Sequence, residues 1–258
     1  MKLTTLGCWG AYPFKDEGTT SYLLTGHDGF QLLIDCGSRA VNELEKEISP
    51  LDLDAVLISH YHPDHVADLG VLRHYFQLYP KHLWEPKVLP IYAHDEDATE
   101  FAKLTLDGVS KGYAYDVTGT EQIGPFAITF IKTVHPVICY AFKIVEQATG
   151  QVFVFTADTG YFEGLSDFVS GADLLLADVY LYEGNENHIA HLTTKEAGLL
   201  AVEAGVKKLV LTHMPPLSPE GVDPERHLEI LREQTQKYAG VIPVELASPH
   251  KSWDIGGC

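Results

Sequence analysis

The chain has 258 residues, of which 45% are hydrophobic and 21% charged, the make-up of a globular protein with a sizeable core. Its 36 acidic side chains against 18 basic ones give a net charge of −18, and a surface this acidic repels extended nucleic acid. No apolar run is long enough to span a membrane, and the opening stretch breaks at Gly7 before a signal-peptide core could form, so a cytoplasmic location is expected.

Along the chain, apolar runs of strand length alternate with segments of helical spacing. The first runs are Ser21–Leu24 and Gln31–Ile34, the second ending at Asp35 and Cys36. Asp35 is a candidate to hydrogen-bond a ligand histidine from behind. Cys36 belongs with Cys8, Cys139 and Cys258 to a scattered set with no C-x-x-C pair, which predicts neither a disulfide framework nor a zinc knuckle. Helical spacing follows at Val41–Ile48, then the buried run Ala55–Ile58.

That run ends in Ser59 and opens into His60-Tyr61-His62-Pro63-Asp64-His65. Three imidazoles and a carboxylate in six positions make a metal site, because these are the usual non-thiolate ligands of zinc. Ordinary loops seldom gather them. In an extended turn, residues i and i+2 project to one side, so His60 and His62 can grip one ion. Asp64 and His65 are adjacent and point differently, which suits a second ion nearby.

Helical spacing resumes at Val66–Leu78. The least regular stretch, Tyr79 to Tyr115, contains a strand-like Val88–Tyr92 and helical spacing at Asp95–Leu106, and a lid or arm is expected there. Strand-like runs at Ala127–Ile131, Val152–Phe155 and Lys208–Leu211 are followed by His135, Asp158 and His213. Polar ligands at the carboxyl ends of buried strands converge on one cleft. Seven ligands then suffice for two ions, with Asp158 able to bridge. The remaining elements are strands at Tyr140–Val145 and Leu174–Ala177 and helices at Phe162–Val169, Thr194–Ala204 and Pro224–Tyr238. The other histidines, His27, His74, His82, His94, His227 and His250, read as structural or exposed.

The pattern Leu57-Ile58-Ser59-His60-Tyr61-His62-Pro63-Asp64-His65, His135, Thr156-Ala157-Asp158-Thr159-Gly160 and Leu211-Thr212-His213 resembles the metallo-β-lactamase-fold hydrolases over nearly the whole chain. The resemblance implies one domain over residues 1–258, an α/β four-layer αββα sandwich. It implies one site of His60, His62 and His135, a second of Asp64, His65 and His213, and Asp158 between them. The cofactors it implies are two divalent ions, zinc first, with manganese or iron as alternatives.

Within that superfamily, His191-Leu192-Thr193-Thr194 before a helix, and Leu6-Gly7-Cys8-Trp9-Gly10-Ala11-Tyr12-Pro13 at the start, are similar to ribonuclease Z and related phosphodiesterases. By that resemblance Asp64 orients the nucleophile, His191 protonates the leaving group and Asp178 fixes the His191 tautomer, with His188 a competitor in an exposed loop. The family's Glu is here the shorter Asp178, and its long basic arm for tRNA has no counterpart. The function expected is hydrolysis of a small or cyclic nucleotide-like phosphodiester. The alternatives are tRNA 3′-end processing, thioester hydrolysis, lactone or β-lactam hydrolysis, and a metal-binding sensor without turnover. The partner expected is a small-molecule substrate, with no membrane; a homodimer is compatible with this reading.

Overall fold

The structure, a computed structural model, describes residues 1–256, so that Cys258 lies outside the described residues. The first half of the chain runs β1 (Lys2–Trp9), β2 (Gly18–Thr19), β3 (Ser21–Thr25), β4 (Gln31–Ile34), α1 (Ala40–Leu44), β5 (Ala55–Leu57), α2 (Pro63–Val66), α3 (Leu69–Leu78), β6 (Leu89–Ala93), α4 (Ala98–Ala102) and β7 (Ser110–Ala114). The second half runs β8 (Glu121–Ile123), β9 (Phe126–Lys132), β10 (Tyr140–Glu146), β11 (Val152–Phe155), α5 (Leu165–Val169), β12 (Leu174–Asp178), α6 (Thr194–Ala204), β13 (Leu209–Thr212), α7 (His227–Ala239), β14 (Val244–Leu246) and β15 (Ser252–Asp254).

The strands form two sheets. One has the order β15-β1-β3-β4-β5-β6-β7, with β2 on β1; the other has the order β14-β13-β12-β11-β10-β9-β8. Strand alternation sets four layers. Leu32, Ile34 and Leu57 turn inward against Phe142, Phe155 and Leu176 of the facing sheet. Their neighbours Leu33 and Val56 turn outward under Leu72 and Phe76 of α3. On the far side, Val154, Leu175 and Leu211 turn outward under Leu200 and Ala201 of α6 and Leu231 of α7. Successive side chains of a strand lie on opposite faces, and an apolar residue on each face forces a cover on both. The result is the αββα sandwich that the sequence predicts.

Tyr79 to Tyr115 is not a lid or arm: β6 and β7 within it extend the first sheet as parallel neighbours. The helix expected over Asp95–Leu106 contracts to α4, because the Asp97 carboxylate accepts from the Thr99 and Glu100 amides and starts the helix there. Among the described residues Cys8, Cys36 and Cys139 are free and buried. Among the described residues no helix is long and apolar enough to cross a membrane.

Candidate metal centre

The strands of each sheet deliver their polar ends to one edge. β4 and β5 run parallel, as do β11, β12 and β13. Ser59 and His60 follow β5, and α2 starts at once with Pro63 in its first turn and His62 as the extended N-cap. Proline has no amide to leave unpaired at that position, and the first turn carries Asp64 and His65 inward, both buried. His135 leaves β9, Asp158 leaves β11 and His213 leaves β13. Asp35, Ala157 and His213, all at strand ends here, have positive φ of 54°, 49° and 50°. Non-glycine residues held in that region are uncommon and cluster at functional sites.

The seven predicted ligands meet. Donor atoms of His60, His62, His135 and Asp158 form one group within 4.8 Å of one another, and those of Asp64, His65 and His213 form another. Asp158 stands between them. Its Oδ1 is 3.3 Å from His65 Nε2, and its Oδ2 is 3.2 Å from His213 Nε2 and 3.8 Å from His60 Nε2. His60 Nε2, His65 Nε2 and Asp158 Oδ1 are buried with no hydrogen-bond partner among the described residues. A buried polar atom left so costs about 1–3 kcal/mol. Several such atoms facing one another fit a cation, and the imidazole and carboxylate set fits a divalent one.

Electrostatics follow from that crowding. Burial lowers the pKa values of His60, His62 and His135 and favours neutral rings, the form that binds metal. Burial also pulls His65 down, but Asp158 and Asp35 outweigh it and raise its pKa to about 10. In His213, burial is likewise outweighed by Asp158, Asp178 and Asp64, and the pKa is raised. Burial opposes ionisation of Asp64 and Asp158, yet the neighbouring histidines hold both below the usual carboxylate range.

A further shell orients the donors. His65 Nδ1 is 2.7 Å from Asp35 Oδ2, and Asp35 also accepts from the Ser59 amide and hydroxyl at 2.8 and 2.7 Å. His135 Nδ1 donates to the Ala190 carbonyl at 3.2 Å. The Ala11 amide donates to Asp64 Oδ2 at 2.8 Å. That approach needs Gly10: a Cβ there would lie 2.7 Å from the His213 ring and 2.8 Å from Tyr180.

His191 stands beside this cluster. Its Nδ1 is 2.9 Å from Asp178 Oδ2, while Asp178 Oδ1 is 3.4 Å from His213 Nδ1. One carboxylate therefore addresses both a metal-ligand histidine and His191, and the shorter aspartate reaches. The segment is fixed by a capping box two residues on, where Thr193 and Glu196 exchange side-chain and backbone bonds. His188 is exposed, its ring 6.0 Å from that of His191.

One neighbour of the site was missed by reading the sequence. Tyr180 packs its ring 5.0 Å from His191 and 5.9 Å from His213; nothing local marks it. His94 is among the histidines that the sequence reads as structural or exposed, and it is buried. It follows β6 and lines a cleft with His62. His27, His74, His82 and His250 are exposed, and His227 is buried against the Pro215 and Pro224 carbonyls.

Known proteins are similar to this chain in sequence and fold. The chain is 41% identical to a probable metallo-hydrolase, YhfI of Bacillus subtilis, over 83% of this chain and 87% of that protein. The crystal structure of YhfI superposes with a TM-score of 0.88 at 37% identity, covering 98% and 99% of the two chains. A ribonuclease Z of Thermobifida fusca is 27% identical over 82% of this chain and 83% of its own length. The short form of human tRNase Z shares the fold, with a TM-score of 0.72 at 20% identity over 100% of both chains. The Beta-lactamase superfamily domain matches residues 31–214, from β4 through the last candidate ligand, and the chain belongs to that superfamily, with the metallo-β-lactamase fold.

Proposed function

We propose that this chain is a binuclear metal-dependent phosphodiesterase acting on a small nucleotide-like diester. His60, His62 and His135 would hold one ion and Asp64, His65 and His213 the other, with Asp158 shared. Two divalent ions so held supply Lewis acidity toward a phosphoryl oxygen and ionise water near neutral pH. The chain's own groups do the rest. Asp64, steadied by the Ala11 amide, orients the attacking water. His191 protonates the leaving oxygen through Nε2, while the Asp178 carboxylate accepts from Nδ1–H and stabilises the charged ring.

The observation that carries this reading is the His191–Asp178 pair at 2.9 Å, which sets His191 beside the donors, within 4.8 Å of those of Asp158 and His213, with its Nδ1 turned to a carboxylate that is not among the seven. An alkoxide leaves poorly without a proton, and a positioned acid beside the metals suits a phosphodiester. The relative named ribonuclease Z supports that bond class, while the net charge of −18 favours a small substrate over tRNA.

The test is the leaving-group dependence of His191→Ala with metals loaded. The variant should retain both ions and lose roughly 10²–10⁴-fold in turnover on alkyl esters, the usual span for a general acid. On nitrophenyl esters, whose leaving group needs no proton, the loss should nearly vanish. An equal loss on both would mean that His191 positions the phosphoryl group instead.

A further inference from the structure

The loops that follow β12 and β13 enclose a hollow of about 240 Å³ beside the metal centre. β12 ends in Asp178, and β13 leads into His213. Two residues past each of them the chain begins to line the hollow, with Tyr180 and Tyr182 from one loop and Pro215, Leu217 and Pro219 from the other. Tyr180 is the wall shared with the site. Its ring lies 5.0 Å from that of His191, tilted by 33°, and 5.9 Å from that of His213. The hollow therefore adjoins the site on the side of His191. It is also open to a ligand: Leu217 at its rim is 61% exposed, and Tyr180 is half-buried.

The lining is apolar and held in place. Tyr182 is buried, and its hydroxyl donates to the His227 carbonyl at 3.0 Å, which fixes the ring. Asn185 is exposed and ties its loop back, its Nδ2 donating to the Tyr182 carbonyl at 3.2 Å. On the opposite loop Pro215 and Pro219 lock their own φ angles. No charged side chain lines the hollow among the described residues, although the chain carries 36 acidic and 18 basic ones. Aromatic and aliphatic walls with a few polar groups make a pocket for an uncharged group, and tyrosine faces suit a flat one.

We propose that this hollow is the leaving-group subsite and that it takes an uncharged, ring-bearing alcohol. The proposal rests on the phosphodiesterase reading, because His191 marks the departing oxygen. With that oxygen at His191, the group it carries lies along Tyr180 and reaches between Tyr182 and Leu217. A leaving group that bears a carboxylate would give up its water to walls that hold no cation to pair it, in a chain of net charge −18. Charge, more than shape, is then what the subsite rejects.

The test is calorimetric titration of the zinc-loaded protein with 1-naphthylmethylphosphonate and 4-carboxybenzylphosphonate, whose carbon–phosphorus bonds do not hydrolyse. The naphthyl compound should bind roughly tenfold or more tightly, within the range that an apolar pocket gives. Leu217→Lys changes an exposed rim position that touches no donor, and it puts an ammonium where the carboxylate would lie. In that variant the preference should fall to parity or invert. Val137→Lys, in the cleft beside His62, is the positional control and should leave the preference as it was. Equal binding of the two phosphonates, no binding of either, a preference unchanged in Leu217→Lys, or one lost as fully in Val137→Lys would overturn the subsite. Turnover of bis(p-nitrophenyl) phosphate separates the two claims. A preference that depends on Leu217 without diester hydrolysis removes the reaction and keeps the apolar subsite; hydrolysis without a preference does the reverse.

Discussion

At the scale of single residues, Asp178 carries the most. It ends β12 fully buried, 2.9 Å from His191 and 3.4 Å from His213. Asp178→Asn keeps the volume but puts an N–H₂ against one of two rings that each need an acceptor. The expected outcome is a 10–100-fold loss of zinc affinity, the usual effect of removing a partner behind a metal-bound histidine, together with slower turnover of alkyl diesters. Competition with a chromophoric chelator measures the first. If Asp178 only braces β12, melting temperature falls and zinc affinity stays. Much of the site was legible because its geometry is local: His60 and His62 are two apart in an extended turn. Asp35 was also legible, as a carboxylate at a strand end. Tyr180 was not, because its place at the site comes from packing against His191 across a loop.

At the scale of elements, strands whose apolar residues face two covered sides were readable, since a continuous apolar run is what double burial requires. Short edge strands were not. β14 and β15 each have three residues, too few for any period to show. Polar pairs hold them instead. Glu245 on β14 takes Lys251 at 2.8 Å, the Trp253 indole N–H at 3.0 Å and Lys208 at 3.1 Å. The cluster ties the edge of one sheet to β15 in the other. Burial of Glu245 opposes its charge, but Lys251, Trp253 and Lys208 win and lower its pKa to about 2 from the ordinary 4.5. The folded pKa is depressed, so the stability it contributes is present above pH 4.5 and is lost as pH falls toward 2. Solvent screening limits it to roughly 1 kcal/mol. The gap in melting temperature between wild type and Glu245→Gln should therefore be full at neutral pH and close over that acid window. A gap independent of pH would show that the charge contributes nothing.

At the scale of the whole molecule, the two sheets meet along one edge where seven donors converge from both, so a metal held there would be linked to the fold. A ligand that binds the native state alone stabilises it by mass action, about 4 kcal/mol at a thousand times its dissociation constant. Chelation should lower the melting temperature and zinc should restore it; an unchanged melt would argue that the ions do not bind the folded site. The sandwich itself was legible from alternating strand and helix patterns and from motifs spread from residue 57 to residue 213. The place of Tyr79 to Tyr115 was not, because β7 pairs with β6 through backbone bonds that leave little trace in side-chain pattern. The central claim is the reaction. It is tested most directly by offering the zinc-loaded protein bis(p-nitrophenyl) phosphate, cyclic nucleotides, a thioester and a lactone side by side. The account predicts turnover of the phosphodiesters, abolished in His62→Ala; turnover confined to the thioester or the lactone would contradict it.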